Sequence, residues 1–323
     1  MVAIFLLTAL LDPKAIACRD SLAMPDQAAE SDDAIACLSG FQWKPTNFAA
    51  TVTPATIGEY DYGISFPSPR SGPGGDVFVE WRMARQNDVI CNDDRPAVIV
   101  VHESGRGMHA GRVIAQSLSH TGVHSFMVHL PGYGQRSVQR PDQGKELVEG
   151  IQQGAMDCRR AADVVKTLDG VASNHVSILG VSLGGFIASL SGSLDSVFDQ
   201  HFLLMAGADL PTMFQQGERE VADLRSKLER YRTGSELTVW LRQIEPARVA
   251  HRLPAERTTL YVAMFDVVVP PRCSEKLSAA IGLPPERVVR MPCGHHTAVA
   301  FLLPMVLDVS KRMNAATAPE PSY

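Results

Sequence analysis

The sequence has no run of about 20 consecutive apolar residues, the length a helix needs to cross a hydrocarbon core, so no transmembrane segment is expected. It has no C-x-x-C pair. The six cysteines, Cys18, Cys37, Cys91, Cys158, Cys273 and Cys293, are scattered, which argues against a zinc ribbon or a thioredoxin-type redox site. No Gly-Lys-Ser/Thr is present, so there is no Walker phosphate loop. His102-Glu103 is followed by Arg106 where an H-E-x-x-H zinc motif needs histidine. No metal and no cofactor are therefore expected. The charge balance is mild as well: 30 Lys and Arg against 35 Asp and Glu, a formal net charge of −5. That gives no reason to expect nucleic acid or an acidic membrane surface as partner. No internal repeat is evident.

What remains is ordinary for a globular chain: 45% hydrophobic and 20% charged residues in 323, enough for a sizeable core. The N-terminus carries mixed signals. Val2 to Leu11 is apolar, and Ala15-Ile16-Ala17 before Cys18 resembles a small-residue cleavage site. Yet no Lys or Arg precedes the apolar run, and Asp12-Pro13-Lys14 interrupts it. Export and cytoplasmic residence both stay open. Residues 19–58 show little periodicity, so 1–58 reads as an irregular N-terminal extension and 59–323 as the main domain.

Tyr60–Pro67 and Asp76–Met83 alternate as antiparallel strands do, with a Pro/Gly/Ser loop between them. From residue 96 the pattern changes. Ala97–Val101 is a continuous β-branched run, as in a strand buried on both faces. Val113, Ile114, Ser117 and Leu118 follow at helical spacing, then the strand Ser125–Leu130 and the turn Pro131-Gly132-Tyr133-Gly134. Ile151, Ala155, Cys158, Ala162, Val165 and Leu168 form one apolar helical stripe. Val176–Leu179, Phe202–Ala206, Thr259–Phe265 and Arg287–Met291 read as further strands. Strands alternating with helices predict a doubly wound, mainly parallel α/β sheet. Residues 211–242 break the alternation with two helical patterns and predict either a small helical cap or an extended crossover.

Gly180-Val181-Ser182-Leu183-Gly184 lies where a strand turns into a helix. A serine on so sharp a turn exposes its hydroxyl, and the glycines relieve crowding. A serine hydroxyl needs a base within hydrogen-bond reach, a carboxylate to orient that base, and N–H donors for the oxyanion. Ligands of parallel sheets gather at the carboxyl ends of the strands. Asp266 and His295 fall at such ends, after Thr259–Phe265 and Arg287–Met291. Asp209, just after Phe202–Ala206, is a rival acid, and His296 a rival base. The Leu183 amide is the natural first oxyanion donor. Glu103 is the preferred second, with Ser104 close behind, from the loop His102-Glu103-Ser104-Gly105-Arg106-Gly107. His102 and Tyr133 read as supports of that loop.

Residues 75–313 resemble the α/β-hydrolase superfamily. The resemblance rests on Gly-Val-Ser182-Leu-Gly, Asp266-Val-Val-Val-Pro, Gly294-His295, the His102 loop and Leu130-Pro131-Gly132-Tyr133-Gly134-Gln135-Arg136-Ser137. It implies Ser182 as nucleophile, Asp266 as acid and His295 as base. Two departures stand out: Glu follows His102 where many members have Gly, and Leu130 stands where many have an acidic residue. The expected activity is cleavage of a small-molecule ester or acyl substrate through an acyl-enzyme, foremost by a carboxylester hydrolase. Thioesterase, peptidase, acyltransferase and a non-catalytic binding protein are the alternatives. A loose Gly105-x-Gly107-x-x-x-Gly111 fingerprint competes weakly, because the next strand ends Val128-His129-Leu130 without an acidic residue for a ribose.

Overall fold

The alternation of β-branched runs and helical stripes folds as one sheet with helices on both faces. A computed structural model describes residues 12–22, 30–55, 58–72, 74–139, 142 and 144–316. In chain order the first strands are β1 (Lys14–Arg19), β2 (Asn47–Pro54), β3 (Tyr62–Phe66) and β4 (Val77–Arg82), then a separate short hairpin of β5 (Arg85–Gln86) and β6 (Val89–Ile90). There follow β7 (Arg95–Val101), β8 (His124–Val128), β9 (Val171–Val181), β10 (His201–Leu204), β11 (Thr258–Ala263) and β12 (Val288–Met291). The helices are α1 (Asp32–Leu38), α2 (His109–Ser119), α3 (Leu147–Val165), α4 (Leu183–Gly192), α5 (Leu210–Gln216), α6 (Glu220–Leu228), α7 (Gly234–Leu241), α8 (Pro271–Ile281) and α9 (Leu302–Ala316).

The main sheet runs β1-β2-β3-β4-β8-β7-β9-β10-β11-β12. From β8 to β12 every neighbour is parallel. From β1 to β4, and across β4·β8, every neighbour is antiparallel. The chain leaves β7 for β8 on one side and returns in β9 on the other. The carboxyl ends of β7 and β9 are therefore the topological switch point, where ligands of open parallel sheets bind. Register places the functional loops there. Val101 of β7 pairs with Gly180, Val181 of β9 with Leu204, and Ala263 of β11 with Met291. The residues that follow all emerge at one edge of the sheet. Ala97–Val101 are fully buried, as their unbroken apolar run predicts.

Three expectations are corrected. Residues 14–54, read as irregular, contribute two strands and a capped helix. β1 and β2 extend the sheet at its antiparallel end, and Ser31 accepts the Ala34 N–H at the start of α1. The Ala15-Ile16-Ala17-Cys18 stretch lies inside β1, paired residue for residue with β2; Val2–Leu11 lies outside the described residues. The two helices expected between β10 and β11 are three. Finally, α3 is buried on nearly every side rather than along one stripe.

The reason for the last difference is tertiary. The polar face of α3 is covered by Asp20 and Ser21, by residues 67–72 and 74–75, and by Asp195, which bring partners for its polar groups. Arg160 forks onto Asp20 at 2.8 and 2.6 Å. Arg159 reaches Asp195 at 2.7 Å, and Asp163 accepts from the Ser21 amide at 3.0 Å. Asp157 takes Ser68 Oγ at 2.6 Å and Arg136 at 2.8 Å. Buried charges persist only when partnered in this way. All six cysteines are free thiols, and all but Cys91 are buried.

Candidate active site

β9 ends in the turn that carries Ser182, and the backbone there is strained. Ser182 has φ 53° and ψ −116°, a conformation that costs a non-glycine residue about 1–3 kcal/mol. Its neighbours hold it. The Ser182 N–H donates to the Leu204 carbonyl at 2.8 Å, and its own carbonyl accepts from Gly185 N–H at 2.8 Å and Phe186 N–H at 3.2 Å. The flanking glycines are demanded by backbone contact on both sides. A Cβ on Gly180 would overlap the Gly184 carbonyl, and a Cβ on Gly184 would overlap the carbonyl of Val101 in β7. The pentapeptide is thus wedged between its own helix and the central strand.

The side chains expected to act together are in contact. His295 Nε2 lies 3.0 Å from Ser182 Oγ, and His295 Nδ1 lies 2.6 Å from Asp266 Oδ2. With the ring proton on Nδ1, the imidazole donates to the carboxylate and offers Nε2 as acceptor for the serine hydroxyl. The other Asp266 oxygen, Oδ1, accepts the amides of Val268 at 2.8 Å and Val269 at 2.9 Å. Asp266 therefore caps its turn and orients His295 with the same carboxylate. Ser182 and Asp266 are buried, and His295 is only slightly exposed.

The rival residues are engaged elsewhere. Asp209 caps α5, accepting the Thr212 N–H at 3.3 Å. Glu245 is buried and accepts the amides of Asp209 and Leu210 at 2.9 and 2.6 Å. His296 points to α6, where its Nε2 lies 3.3 Å from Glu220.

The loop after β7 is held from three directions. His102 is fully buried: its Nδ1 donates to the Glu103 carbonyl at 2.6 Å, and its Nε2 accepts the Leu130 N–H at 3.2 Å. Burial pushes its pKa down to about 3, so the ring is neutral. Tyr133 packs edge-on against His102 and donates its hydroxyl to the Ser104 carbonyl at 3.1 Å. The Glu103 carboxylate turns back onto the start of α2. It accepts Ala110 N–H at 3.2 Å and Gly111 N–H at 3.1 Å. Those amides lack intrahelical partners, and the helix dipole favours an anion there. Glu103 stands six residues before α2, and no local pattern in the sequence marks its reach over seven residues to Ala110.

Two cavities of about 340 Å³ each meet at Ser182. One lies beneath α5 and α6 and shares Ser104, Ser182 and Leu183. The other lies between α2 and α9 and shares Glu103, Ser182, His295 and His296. A larger cavity of about 400 Å³, between α8 and β12, contains none of these residues.

Strand order, serine turn and late histidine loop define the α/β-hydrolase fold, and this chain has that fold. No family model matches the sequence, and no curated protein matches it. Solved structures do match in shape. The acetyl xylan esterase from Paenibacillus sp. R4 aligns with TM-score 0.61 at 15% identity, over 88% of this chain and 96% of that one. Acetyl xylan esterase 1 from Thermoanaerobacterium sp. JW/SL YS485 aligns with TM-score 0.58 at 14% identity, over 88% and 95%. A Mycobacterium tuberculosis puromycin-hydrolyzing peptidase aligns with TM-score 0.58 at 16% identity, over 82% of this chain and 46% of that one. At these identities the likeness is one of fold.

Proposed function

We propose that the protein is a serine hydrolase that cleaves an ester through an acyl-enzyme, with Ser182 as nucleophile, His295 as base and Asp266 as its orienting acid. One observation carries the reading: His295 stands between Ser182 and Asp266 within hydrogen-bond distance of both, at the base of two cavities. In the first half-reaction the Ser182 proton passes to His295 Nε2 as Oγ bonds to the ester carbon. Collapse of the tetrahedral species breaks the bond to the alcohol oxygen, which takes that proton and leaves. In the second half-reaction water gives a proton to Nε2 and attacks the acyl carbon, releasing the acid and restoring Ser182.

The oxyanion needs two donors. Leu183, first residue of α4, has no intrahelical partner for its N–H. For the second donor the loop geometry favours Ser104 over Glu103. His102 holds the Glu103 carbonyl toward the interior. In a trans peptide the Ser104 N–H points the opposite way, and Ser104 lines the cavity beside Leu183. Solved neighbours include esterases and a peptidase by title. An ester asks less of this site than a peptide does, because an alcohol oxygen leaves a tetrahedral centre more readily than an amine nitrogen.

A fluorophosphonate probe with a chromogenic short-chain ester tests the reading. Labelling and turnover by the wild type, both abolished in Ser182→Ala, are expected. Unlabelled, inactive but folded wild type would point to a binding protein. Thioester or peptide turnover exceeding ester turnover would transfer the same triad to those substrates.

A further inference from the structure

Ser182 stands where two separate cavities meet, and the triad's chemistry assigns each one a different part of the substrate. We infer that the substrate is an ester apolar on both sides of the scissile carbonyl, with its acyl chain beneath α5 and α6 and its alcohol between α2 and α9. The inference rests on the proposed triad and adds what that triad acts upon.

The partition follows from proton transfer. The leaving oxygen takes its proton from His295 Nε2, so the alcohol must extend past His295. His295 lines only the α2/α9 cavity of the two. The carbonyl oxygen faces the donors, and Leu183 and Ser104 line only the other cavity. The acyl chain, the remaining substituent on the carbonyl carbon, then has the α5/α6 cavity to enter.

Each cavity is apolar in depth. Beneath α5 and α6 the buried wall is Phe186, Leu210, Met213, Phe214, Val221 and Val268; Lys227 is half-buried, and Arg106, Glu220 and Asp223 are exposed at the rim. Its volume of about 340 Å³ holds on the order of ten heavy atoms, at the ~30 Å³ a water-sized group occupies. That is a medium-length acyl chain. Between α2 and α9 the wall is Ile114, Leu204, Met205, Leu302 and Met305, and it continues outward through Val113 and Val299, 45% and 72% exposed. Of the polar side chains there His109 is exposed, and the others are engaged. Glu103 is held by the amides of α2, His296 by Glu220, and His295 by its triad partners. A polyhydroxylated alcohol would lose its water there with few donors and acceptors in return; an alkyl or aryl alcohol would gain by burial.

Two ester series with purified enzyme test this: methyl esters from acetate to decanoate, and butyrates of methanol, hexanol and glucose. We expect kcat/KM to rise about fourfold per acyl methylene until the cavity is full, near eight to ten carbons, and hexyl butyrate to exceed glucose butyrate by at least tenfold. Leu224→Trp, at a half-buried position of the α5/α6 cavity, should lower the octanoate-to-acetate ratio at least tenfold and leave the hexyl-to-methyl ratio in place. Val299→Asp should do the reverse. Turnover that depends on Ser182 but is indifferent to chain length, favours the sugar ester, or responds to the two variants in the opposite sense overturns the inference alone. Absence of all ester turnover, with Ser182 unlabelled by fluorophosphonate, removes the hydrolase reading and this one with it.

Discussion

Replacing Asp266 by Asn tests the triad where the geometry is most constrained. Oδ1 accepts two backbone amides and Oδ2 accepts from His295. An asparagine can settle in two ways. With its NH₂ toward Val268 and Val269, two donors would face donors in a buried site. At about 1–3 kcal/mol for each unsatisfied group, that orientation is disfavoured by roughly 2–6 kcal/mol. The asparagine will therefore keep its oxygen on the amides and present NH₂ to His295. The imidazole then satisfies that donor by carrying its proton on Nε2 and accepting at Nδ1. A protonated Nε2 cannot accept from Ser182. The fold should survive with an unchanged thermal midpoint. Ester kcat should fall by about 10⁴, the scale for loss of the orienting carboxylate in Ser-His-Asp triads, or about 5 kcal/mol of transition-state stabilisation. Initial rates of chromogenic ester hydrolysis, with circular dichroism as the folding control, measure both. A folded Asp266→Asn enzyme within about tenfold of wild-type kcat would refute the assignment of His295 and Asp266.

Other expectations follow from contacts at and around the site. Gly184→Ala drives a Cβ into the Val101 carbonyl and should cost about 3 kcal/mol or more, read as a lower urea midpoint with loss of fluorophosphonate labelling; wild-type values in both would contradict the wedge described above. Glu103→Ala frees the loop from α2, so kcat should drop by up to about 10²-fold, the scale of one lost oxyanion donor, with KM little changed. Glu103→Gln, which keeps an acceptor for an α2 amide, should recover most of the loss, and equal defects in both variants would count against a positioning role. Stability should also depend on pH. Burial pushes the pKa of His102 to about 3, of His124 to about 4 and of His201 to about 3, against about 6.5 in an unfolded chain. The unfolded state therefore binds more protons between those values. Stability is full above about pH 6.5 and declines as pH falls toward 4, by at most ~1.4 kcal/mol per pH unit for each histidine. A thermal midpoint that stays flat from pH 7 to 4 would contradict this.

Much of the parallel half of the sheet and of the candidate site was legible because its signals are local. A buried parallel strand must be apolar on both faces, so Ala97–Val101 and Val176–Leu179 announced themselves. The turn at Ser182 requires glycines on either side, since backbone passes within contact of both. Asp266 and His295 could be placed at strand ends in order, and their contact follows once β11 and β12 are neighbours. The N-terminal strands gave no such signal. β1 and β2 lie at the antiparallel end of the sheet, their alternation is shallow, and β1 packs against the distant helix α3.

Ser182 as nucleophile, Asp266 and His295 as its partners, and an α/β sheet to carry them can all be argued from residue types and spacing, because strand periodicity and turn sterics act over a few residues. Three-dimensional packing placed Asp266 against His295 and Asp209 on the cap of α5. It anchored the Glu103 carboxylate on the first amides of α2. It also buried the polar face of α3 by bringing Asp20, Ser68 and Asp195 onto it from distant parts of the chain. Each of these outcomes depends on which partner reaches a polar group first in space. That is set by strand order and by the elements stacked on the sheet, which no local stretch of sequence encodes.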